Sequence, residues 1–123
     1  MQFPIFPLNG AVLFPKTTLP LNIFEKRYLN MVDYALANNR FIGMIQAKKD
    51  SNLFNIGCLG KIISFNETGD GRYLISLEGV NCFKINKELP KKNLFRLIDA
   101  SLIENTNQKE DDVNENYQKR IWI

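Results

Sequence analysis

The sequence predicts a mostly β domain with one amphipathic helix inserted after the first two or three strands. Prolines at positions 4, 7, 15 and 20 interrupt the first apolar stretch. They exclude a helix there, because proline lacks a backbone N–H and clashes with the preceding turn. Apolar residues then recur at helical spacing between Leu29 and Leu36. Beyond the helix, short apolar runs alternate with turn signals, so we expect roughly six to eight short strands.

The helix is the element that the sequence predicts most plainly. Asn22 can act as its N-cap by accepting a hydrogen bond from a backbone N–H, and Glu25 lies three residues later, as in a capping box. Glutamate also suits the positive end of the helix dipole. Asparagines at 38 and 39 tolerate the left-handed turn that ends many helices, so the helix should span about 14 residues. The apolar stripe is predicted from Leu29, Val32 and Leu36, widened by Tyr28, Met31 and Ala35.

The strands are predicted from apolar runs and from the turns that separate them. Before the helix, proline-broken pieces at 3–8, 12–14 and 18–21 fit edge strands and barrel rims, with a turn at Asn9-Gly10. The nearly unbroken apolar run that follows the helix indicates a strand buried on both faces. Gly69-Asp70-Gly71 is an expected turn between two strands. After the helix, strands are expected at 40–46, 57–66, 72–80, 81–86 and 94–103, although the last run is long enough for a helix.

The chain divides into a folded body and a polar tail. Residues 1–103 have the character of one globular domain, and a chain of 123 residues can bury a sizeable core. Residues 104–116 contain a single apolar residue, which indicates a linker. Residues 117–123 end on Ile-Trp-Ile. We interpret them as the start of a truncated helical segment, with a natural chain end as the alternative.

Composition argues against several classes of protein. No apolar run reaches about 18 residues, so no membrane span is predicted, and the start lacks the basic flank of a secretory signal. The cytoplasm is therefore the expected compartment. The net charge of +3 comes from scattered lysines and arginines, without the clustered stripe that marks a nucleic-acid interface.

Candidate catalytic and ligand-binding residues are scarce. The sequence contains no histidine, which excludes Ser-His-Asp and Cys-His catalysis and imidazole zinc sites. Cys58 and Cys82 are too few for a metal site and are interpreted as small apolar residues in or near strands. The carboxylate pairs at 67/70 and 111/112 lie in polar segments, where solvated charges are typical. We therefore predict no catalytic, cofactor-binding or metal-binding residues.

Binding residues are expected where apolar side chains can stay exposed. Most of the nine phenylalanines and four tyrosines should fill the core. In the proline-rich rim, proline leaves backbone groups unpaired, and exposed apolar patches usually mark partner sites. The candidate polypeptide-binding residues are Phe14, Pro15, Lys16 and Leu19. The alternative is that Phe14 and Leu19 are buried beneath the helix, as these residue types usually are.

Three stretches of the sequence resemble a known family. They are PIFPLNGAVLFPKTTLPLNIFEKRYLNMVDYAL, RFIGMIQ and GCLGKIISFNETGDGRYLISLEGVNCFKI. Together they are similar to the amino-terminal domain of the Lon proteases, and more closely to small stand-alone bacterial proteins built around that domain. The resemblance covers about residues 3–103 and is most specific around PLNIFEKRY. Lys26 stands where the family most often has proline, and lysine is a good helix former in a first turn.

The resemblance implies a PUA-like β pseudo-barrel with a helix packed at one side, in a chain that stops before the helical region that usually follows. It also implies a module that, in full-length Lon, helps to recognise unfolded or tagged polypeptides and to assemble the hexamer. The ATPase and Ser-Lys protease domains of Lon have no counterpart in this sequence, so no catalytic residue is carried over. Glu25 and Arg27 are expected to serve in capping and structural pairing.

Three functions stand as hypotheses. The first is the binding of exposed apolar segments of unfolded or tagged polypeptides, which should tolerate salt because apolar burial is not screened as charge is. The second is RNA binding, suggested by the PUA-like fold and the mildly basic body, which should weaken steeply with salt. The third is a structural role in self-association, for instance as a homodimer.

Overall fold

Seven strands and one helix make up the part of the chain that the computed structural model describes, residues 1–8, 13–46, 54–90, 92–103 and 121–123. The predicted mostly β class with one inserted helix is confirmed. Within the described residues, no helix is long and apolar enough to cross a membrane. In chain order the elements are β1 (Gln2–Leu8), β2 (Thr18–Ile23), α1 (Lys26–Ala37), β3 (Phe41–Gln46), β4 (Ile56–Glu67), β5 (Tyr73–Glu88), β6 (Arg96–Ile103) and β7 (Ile121–Trp122).

Five of these strands close on themselves. β1 lies between β3, with which it pairs in parallel, and β6, with which it pairs antiparallel. β4 pairs antiparallel with both β3 and β5, and β5 pairs with β6, so the order β4-β3-β1-β6-β5 returns to β4. β2 and β7 continue the sheet beyond β5. The result is the expected pseudo-barrel, a ring of strands with an extension.

The long strand β5 lets the ring and the extension share one sheet. On one side it pairs with β4 along most of its length. On the other side, residues 73–78 pair with β2, and the part from Cys82 onward pairs with β6. We predicted two separate strands here, at 72–80 and 81–86. That prediction is wrong, because the chain passes through a β-bulge at Val80 without leaving the sheet.

The ring encloses a core to which each of its five strands contributes. Its members are Phe3, Ile5, Ile45, Leu59, Phe83, Ile98 and Ala100. The rings of Phe3 and Phe83 meet edge to face, with their centroids 5.0 Å apart. Gly43 and Gly57 leave room for Phe83, since a Cβ atom on these glycines would lie 2.9 and 2.7 Å from its ring.

A second core lies between helix α1 and the outer surface of the ring. The buried face of α1 consists of Tyr28, Met31, Val32 and Ala35. These side chains pack with apolar residues of β2, β3, β4 and β5. Leu29 and Leu36 are only partly buried. The predicted apolar stripe is therefore confirmed. Its most buried residues are Val32 and the three that were expected to widen it, Tyr28, Met31 and Ala35.

The start of α1 differs from the prediction. Asn22 is not the N-cap, because it lies in β2, where its Oδ1 atom accepts a hydrogen bond from Nη1 of Arg72 at 3.2 Å. Its backbone carbonyl accepts a hydrogen bond from the N–H of Ile123 at 2.8 Å. Because Asn22 is part of the sheet, it is not available for the predicted capping box. The N-cap is Glu25, whose side chain makes no capping hydrogen bond and pairs with Arg27 at 3.4 Å.

The turn between β4 and β5 is confirmed. Gly71 has a φ of +87°, which glycine adopts without strain. The backbone N–H of Thr68 donates to the carbonyl of Arg72 at 2.9 Å and closes the turn. Within the run predicted at 94–103, residues 96–103 form the strand β6, so the helical alternative for it is wrong.

Two short segments differ from their predictions. The described part of the strand expected at 12–14 is not a strand, since Phe14 opens a turn. Ile121–Trp122 form β7, parallel to β2, where the sequence predicted the start of a helix. The edge of β2 offers these residues backbone hydrogen-bond partners. The turn predicted at 9–10 and the linker predicted at 104–116, with the four residues after it, lie outside the described residues.

A hydrogen bond between Tyr73 and Asp33 ties β5 to α1 and predicts a pH dependence. The Tyr73 hydroxyl donates to Oδ1 of Asp33 at 2.8 Å. This bond, together with burial and the charge of Asp33, raises the pKa of Tyr73 from its ordinary value of 10.0 to about 12. Because the folded-state pKa is raised, the stabilisation is fully present below pH 10 and is lost as the pH rises towards 12.

Absorbance of tyrosinate measures this effect directly. We expect the difference between the titration curves of the wild type and the Tyr73→Phe variant to have its midpoint near pH 12. A difference curve centred at the ordinary tyrosine pKa would contradict the link between Tyr73 and Asp33.

Candidate functional site

A tight turn at residues 14–17 presents the first of the candidate binding residues. The hydroxyl of Thr17 donates to the backbone carbonyl of Phe14 at 2.7 Å and accepts a hydrogen bond from the N–H of Phe14 at 3.2 Å. A backbone hydrogen bond from Thr17 to Phe14, of 3.1 Å, closes the turn. Lys16 has a φ of +69°, a left-handed conformation that residues other than glycine seldom adopt. The turn is therefore held in one defined conformation.

The turn is anchored on Gly79 of β5. The N–H of Lys16 donates to the carbonyl of Gly79, and the N–H of Gly79 donates to the carbonyl of Thr17, both at 2.8 Å. A Cβ atom on Gly79 would lie 2.0 Å from the carbonyl oxygen of Phe14. Sequence reasoning missed this role of Gly79, although a glycine inside an apolar strand often marks a bulge or a close backbone approach.

The four candidate binding residues do not form one surface. Phe14 is 53% exposed, Pro15 is half-buried and Lys16 is exposed, so the turn brings these three together. Leu19 is 8% exposed and lies in the core around α1, opposite Leu77 of β5. Leu19 is thus buried, as in the alternative interpretation, whereas Phe14 is not.

Two β-bulges place further apolar side chains on the surface. The ladder between β4 and β5 skips Val80 on β5 and Ile63 on β4, and these residues are 40% and 50% exposed. Val80 directly follows Gly79, and Ile63 lies about 10 Å along β4 from Gly60, the partner of Gly79. Bulges redirect side chains in this way and are frequent beside functional sites. We refer to Phe14, Pro15, Ile63 and Val80 as the rim surface.

Few charges accompany the rim surface. Its four residues are all apolar, and the nearest charge along the chain is that of Lys16, which is exposed. Lys61 stands directly opposite Glu78 in the ladder between β4 and β5, an arrangement in which the opposite charges offset each other. The rim surface therefore offers mainly apolar contact area.

Open grooves occur elsewhere in the described structure. One groove, of about 580 Å³, lies between α1 and the segment that leads into β6. Its lining consists of Asn30, Tyr34, Lys92, Asn93, Leu94 and Phe95. Another, of about 410 Å³, is lined by Gln46, Phe54, Asn55 and Ile56. In the described part of the chain, no group of three His, Cys, Asp or Glu side chains is placed to hold a metal ion.

The carboxylate pair at 67/70 lies at the end of β4 and in the turn that leads to β5. Hydrogen bonds from the Thr68 hydroxyl and from the Arg72 guanidinium hold the pKa of Asp70 below its usual range. Glu67 is exposed. The charge of Asp70 therefore helps to stabilise the turn. The second carboxylate pair, at 111/112, lies outside the described residues.

Similarity to known proteins extends over nearly the whole chain. The family model described as the ATP-dependent protease La (LON) substrate-binding domain matches residues 2–121. The Lon protease of Desulfosudis oleivorans is 25% identical over an alignment of 126 residues. The alignment covers 96% of this chain and 15% of that protein. Lon protease 1 of Bdellovibrio bacteriovorus is 32% identical over 79 residues, which cover 58% of this chain and 10% of that protein. The chain thus spans only a small part of the length of these relatives.

Solved structures share the fold. A Lon N-terminal domain protein from Xanthomonas campestris gives a TM-score of 0.73 at 24% identity, covering 96% of this chain and 68% of that one. The N-terminal domain of the Mycobacterium avium complex Lon protease gives a TM-score of 0.72 at 12% identity, covering 89% and 59%. Because the family model spans both the ring of strands and its extension up to β7, the chain belongs to the family of LON substrate-binding domains.

Proposed function

We propose that this chain is a non-catalytic binding module that holds exposed apolar segments of unfolded or tagged polypeptides on its rim surface. The observation that carries the proposal is that Phe14 is exposed while its backbone is held in a fixed turn. Its side chain is 53% exposed, yet its backbone is fixed by hydrogen bonds with Thr17 in a turn that is anchored on Gly79. Aromatic residues held in this way are frequent anchors of protein interfaces.

Rigidity of the turn favours binding because association otherwise has to order the residues that make contact. A partner that packs on a preformed turn does not meet this entropic cost, so more of the apolar burial contributes to affinity. Pro15 adds to the rigidity through its fixed φ, and Val80, which directly follows the anchor residue Gly79, and Ile63 on β4 are further exposed apolar residues. Membership of the LON substrate-binding family supports a polypeptide as the ligand.

Salt separates this proposal from the RNA hypothesis. RNA binding relies on contacts between lysine or arginine and phosphate, and its affinity falls steeply with salt as counterions are released. Apolar burial is not weakened in this way. The rim surface is apolar throughout, so we expect polypeptide binding that persists at high salt. Self-association is measured independently, by sedimentation of the protein alone.

The substitution Phe14→Ala should weaken polypeptide binding about tenfold, because truncating an interface anchor commonly removes more than about 1 kcal/mol. The folded state should be unaffected, since the lost side chain is largely exposed. The measurement is fluorescence anisotropy of a labelled unfolded polypeptide at low and high salt, with thermal unfolding recorded for each variant.

Phe24 offers a matched control for Phe14. It is 51% exposed and lies at the other end of β2, between that strand and α1. We expect Phe24→Ala to bind the polypeptide like the wild type. Equal losses in the two variants, or an unchanged affinity of the Phe14→Ala variant, would exclude the rim surface. A labelled RNA that binds only at low salt, beside no polypeptide binding, would favour the RNA hypothesis.

A further inference from the structure

Cys58 of β4 and Cys82 of β5 are direct partners in the antiparallel ladder, and both thiols are free. Residues that stand opposite each other project to the same face of a sheet, with their Cα atoms about 4.5 or 5.5 Å apart, depending on the hydrogen-bonding pattern. Disulfide bonds join cysteines whose Cα atoms are about 4.4–6.8 Å apart. Both kinds of ladder position fall within this range, so the backbone geometry suits a bridge.

The two thiols have different surroundings. Cys58 is 6% exposed and lies in the core around α1. Burial, and then the neighbouring Cys82, raise the pKa of its thiol to about 12, against the opposing effect of a backbone hydrogen bond from Val80. Cys82 is partly exposed. A reagent in solution therefore reaches Cys82 first, and Cys58 reacts only with a group that is held against it.

We propose that Cys58 and Cys82 form a redox-sensitive pair, which a small disulfide such as glutathione disulfide converts into an intrachain bridge between β4 and β5. This inference does not depend on the proposed binding function. The thiolate of Cys82 attacks one sulfur of glutathione disulfide, which breaks that S–S bond, forms a mixed disulfide and releases one glutathione thiolate.

The second step joins the two strands. The sulfur of Cys58, after passing its proton to the released glutathione thiolate, attacks the sulfur of Cys82 and displaces the second glutathione. This thiolate takes up the proton that Cys82 gave to solvent. Two protein thiols are oxidised, one glutathione disulfide is reduced to two glutathione thiols, and atoms and electrons balance.

The bridge would fix the ladder beside the bulge at Val80, close to the anchor on Gly79. It also closes a loop from Cys58 to Cys82 that contains the turn between β4 and β5. Closing such a loop restricts the unfolded chain and stabilises the folded state. Oxidation is therefore expected to raise the Tm of the domain.

The experiment exposes the reduced wild-type protein to glutathione disulfide, stops the exchange with acid, and alkylates the remaining thiols before mass spectrometry. We expect a chain that has lost two hydrogens, with neither cysteine alkylated, and a Tm that is higher by about 10 °C. Dithiothreitol should reverse both changes. The Cys58→Ser variant should stop at the mixed disulfide on Cys82, and the Cys82→Ser variant should stay unmodified.

Three results would overturn the proposal. They are a wild-type protein that stays fully reduced, a mixed disulfide at Cys82 that never resolves, and a bridge that joins two chains. The decisive measurement uses the wild-type protein, so a serine variant that fails to fold does not affect the conclusion.

Discussion

The substitution Gly79→Ala is expected to destabilise the domain by about 3 kcal/mol. The new methyl group would clash with backbone atoms, which cannot move aside by a change of rotamer as a side chain can. Its Cβ atom would lie 2.0 Å from the carbonyl oxygen of Phe14 and 2.7 Å from the carbonyl carbon. To make room, the turn at 14–17 must move away from β5, which breaks its two hydrogen bonds with Gly79. Urea denaturation measures the loss of unfolding free energy. Polypeptide binding should fall as well, since Phe14 loses its fixed position.

Gly69 provides the control for this substitution. A Cβ atom on Gly69 would meet nothing within 4 Å, so Gly69→Ala should change the free energy of unfolding by less than about 0.5 kcal/mol. The two variants introduce the same methyl group and remove the same backbone freedom from the unfolded chain. If both unfold at the same urea concentration, the turn does not rest on β5 as described.

The substitution Phe83→Ala is expected to reduce the free energy of unfolding by about 3–5 kcal/mol, the usual range for removing a buried phenylalanine ring. Phe83 is fully buried inside the ring of strands and meets Phe3 edge to face. Gly43 and Gly57, which surround it, have no side chains that could move into the space. These two positions therefore cannot fill the cavity, which favours an energetic penalty towards the upper end of the range.

Thermal and urea denaturation of Phe83→Ala, with Phe24→Ala as the exposed counterpart, measure this effect. Phe24 is 51% exposed, so the same truncation should have a small effect there. A loss below about 1 kcal/mol for Phe83→Ala would show that the closed ring does not depend on its aromatic centre.

The parts of the fold that could be predicted from the sequence have local signals. The spacing of apolar residues around Val32 indicates a helix whatever surface the helix packs against. The apolar run of β3 indicates a strand buried on both faces whichever strands it pairs with. The turn that contains Gly71 is likewise a property of its own residues. These elements required no knowledge of which strand pairs with which.

The parts that could not be predicted depend on pairing between distant residues. Asn22 has the chemistry of an N-cap, but its contacts with Arg72 and Ile123 in the sheet keep it in β2. The continuity of β5 depends on a bulge, whose position only the register with β4 reveals.

The candidate site was predicted in part for the same reason. Phe14 and Leu19 are both apolar residues of one proline-rich stretch, and nothing local distinguishes them. The contact with Gly79 leaves Phe14 on the surface, whereas the pairing of β2 with β5 turns Leu19 into the core. The exposed pair Ile63 and Val80 follows from the bulges, which leave no clear mark in the sequence.

Both edges of β1 can be paired only after β6 has been synthesised. It precedes the other described strands in the chain, but β6 begins only at Arg96. During synthesis, a chain that has reached β5 can form the hairpin with β4, while β1 keeps one open edge and Phe3 and Ile5 lack part of their cover. An open β edge is a template for pairing with other chains, and closure over such a separation is slow. Until β6 has been synthesised, the nascent chain therefore keeps an open β edge at which it can pair with other chains.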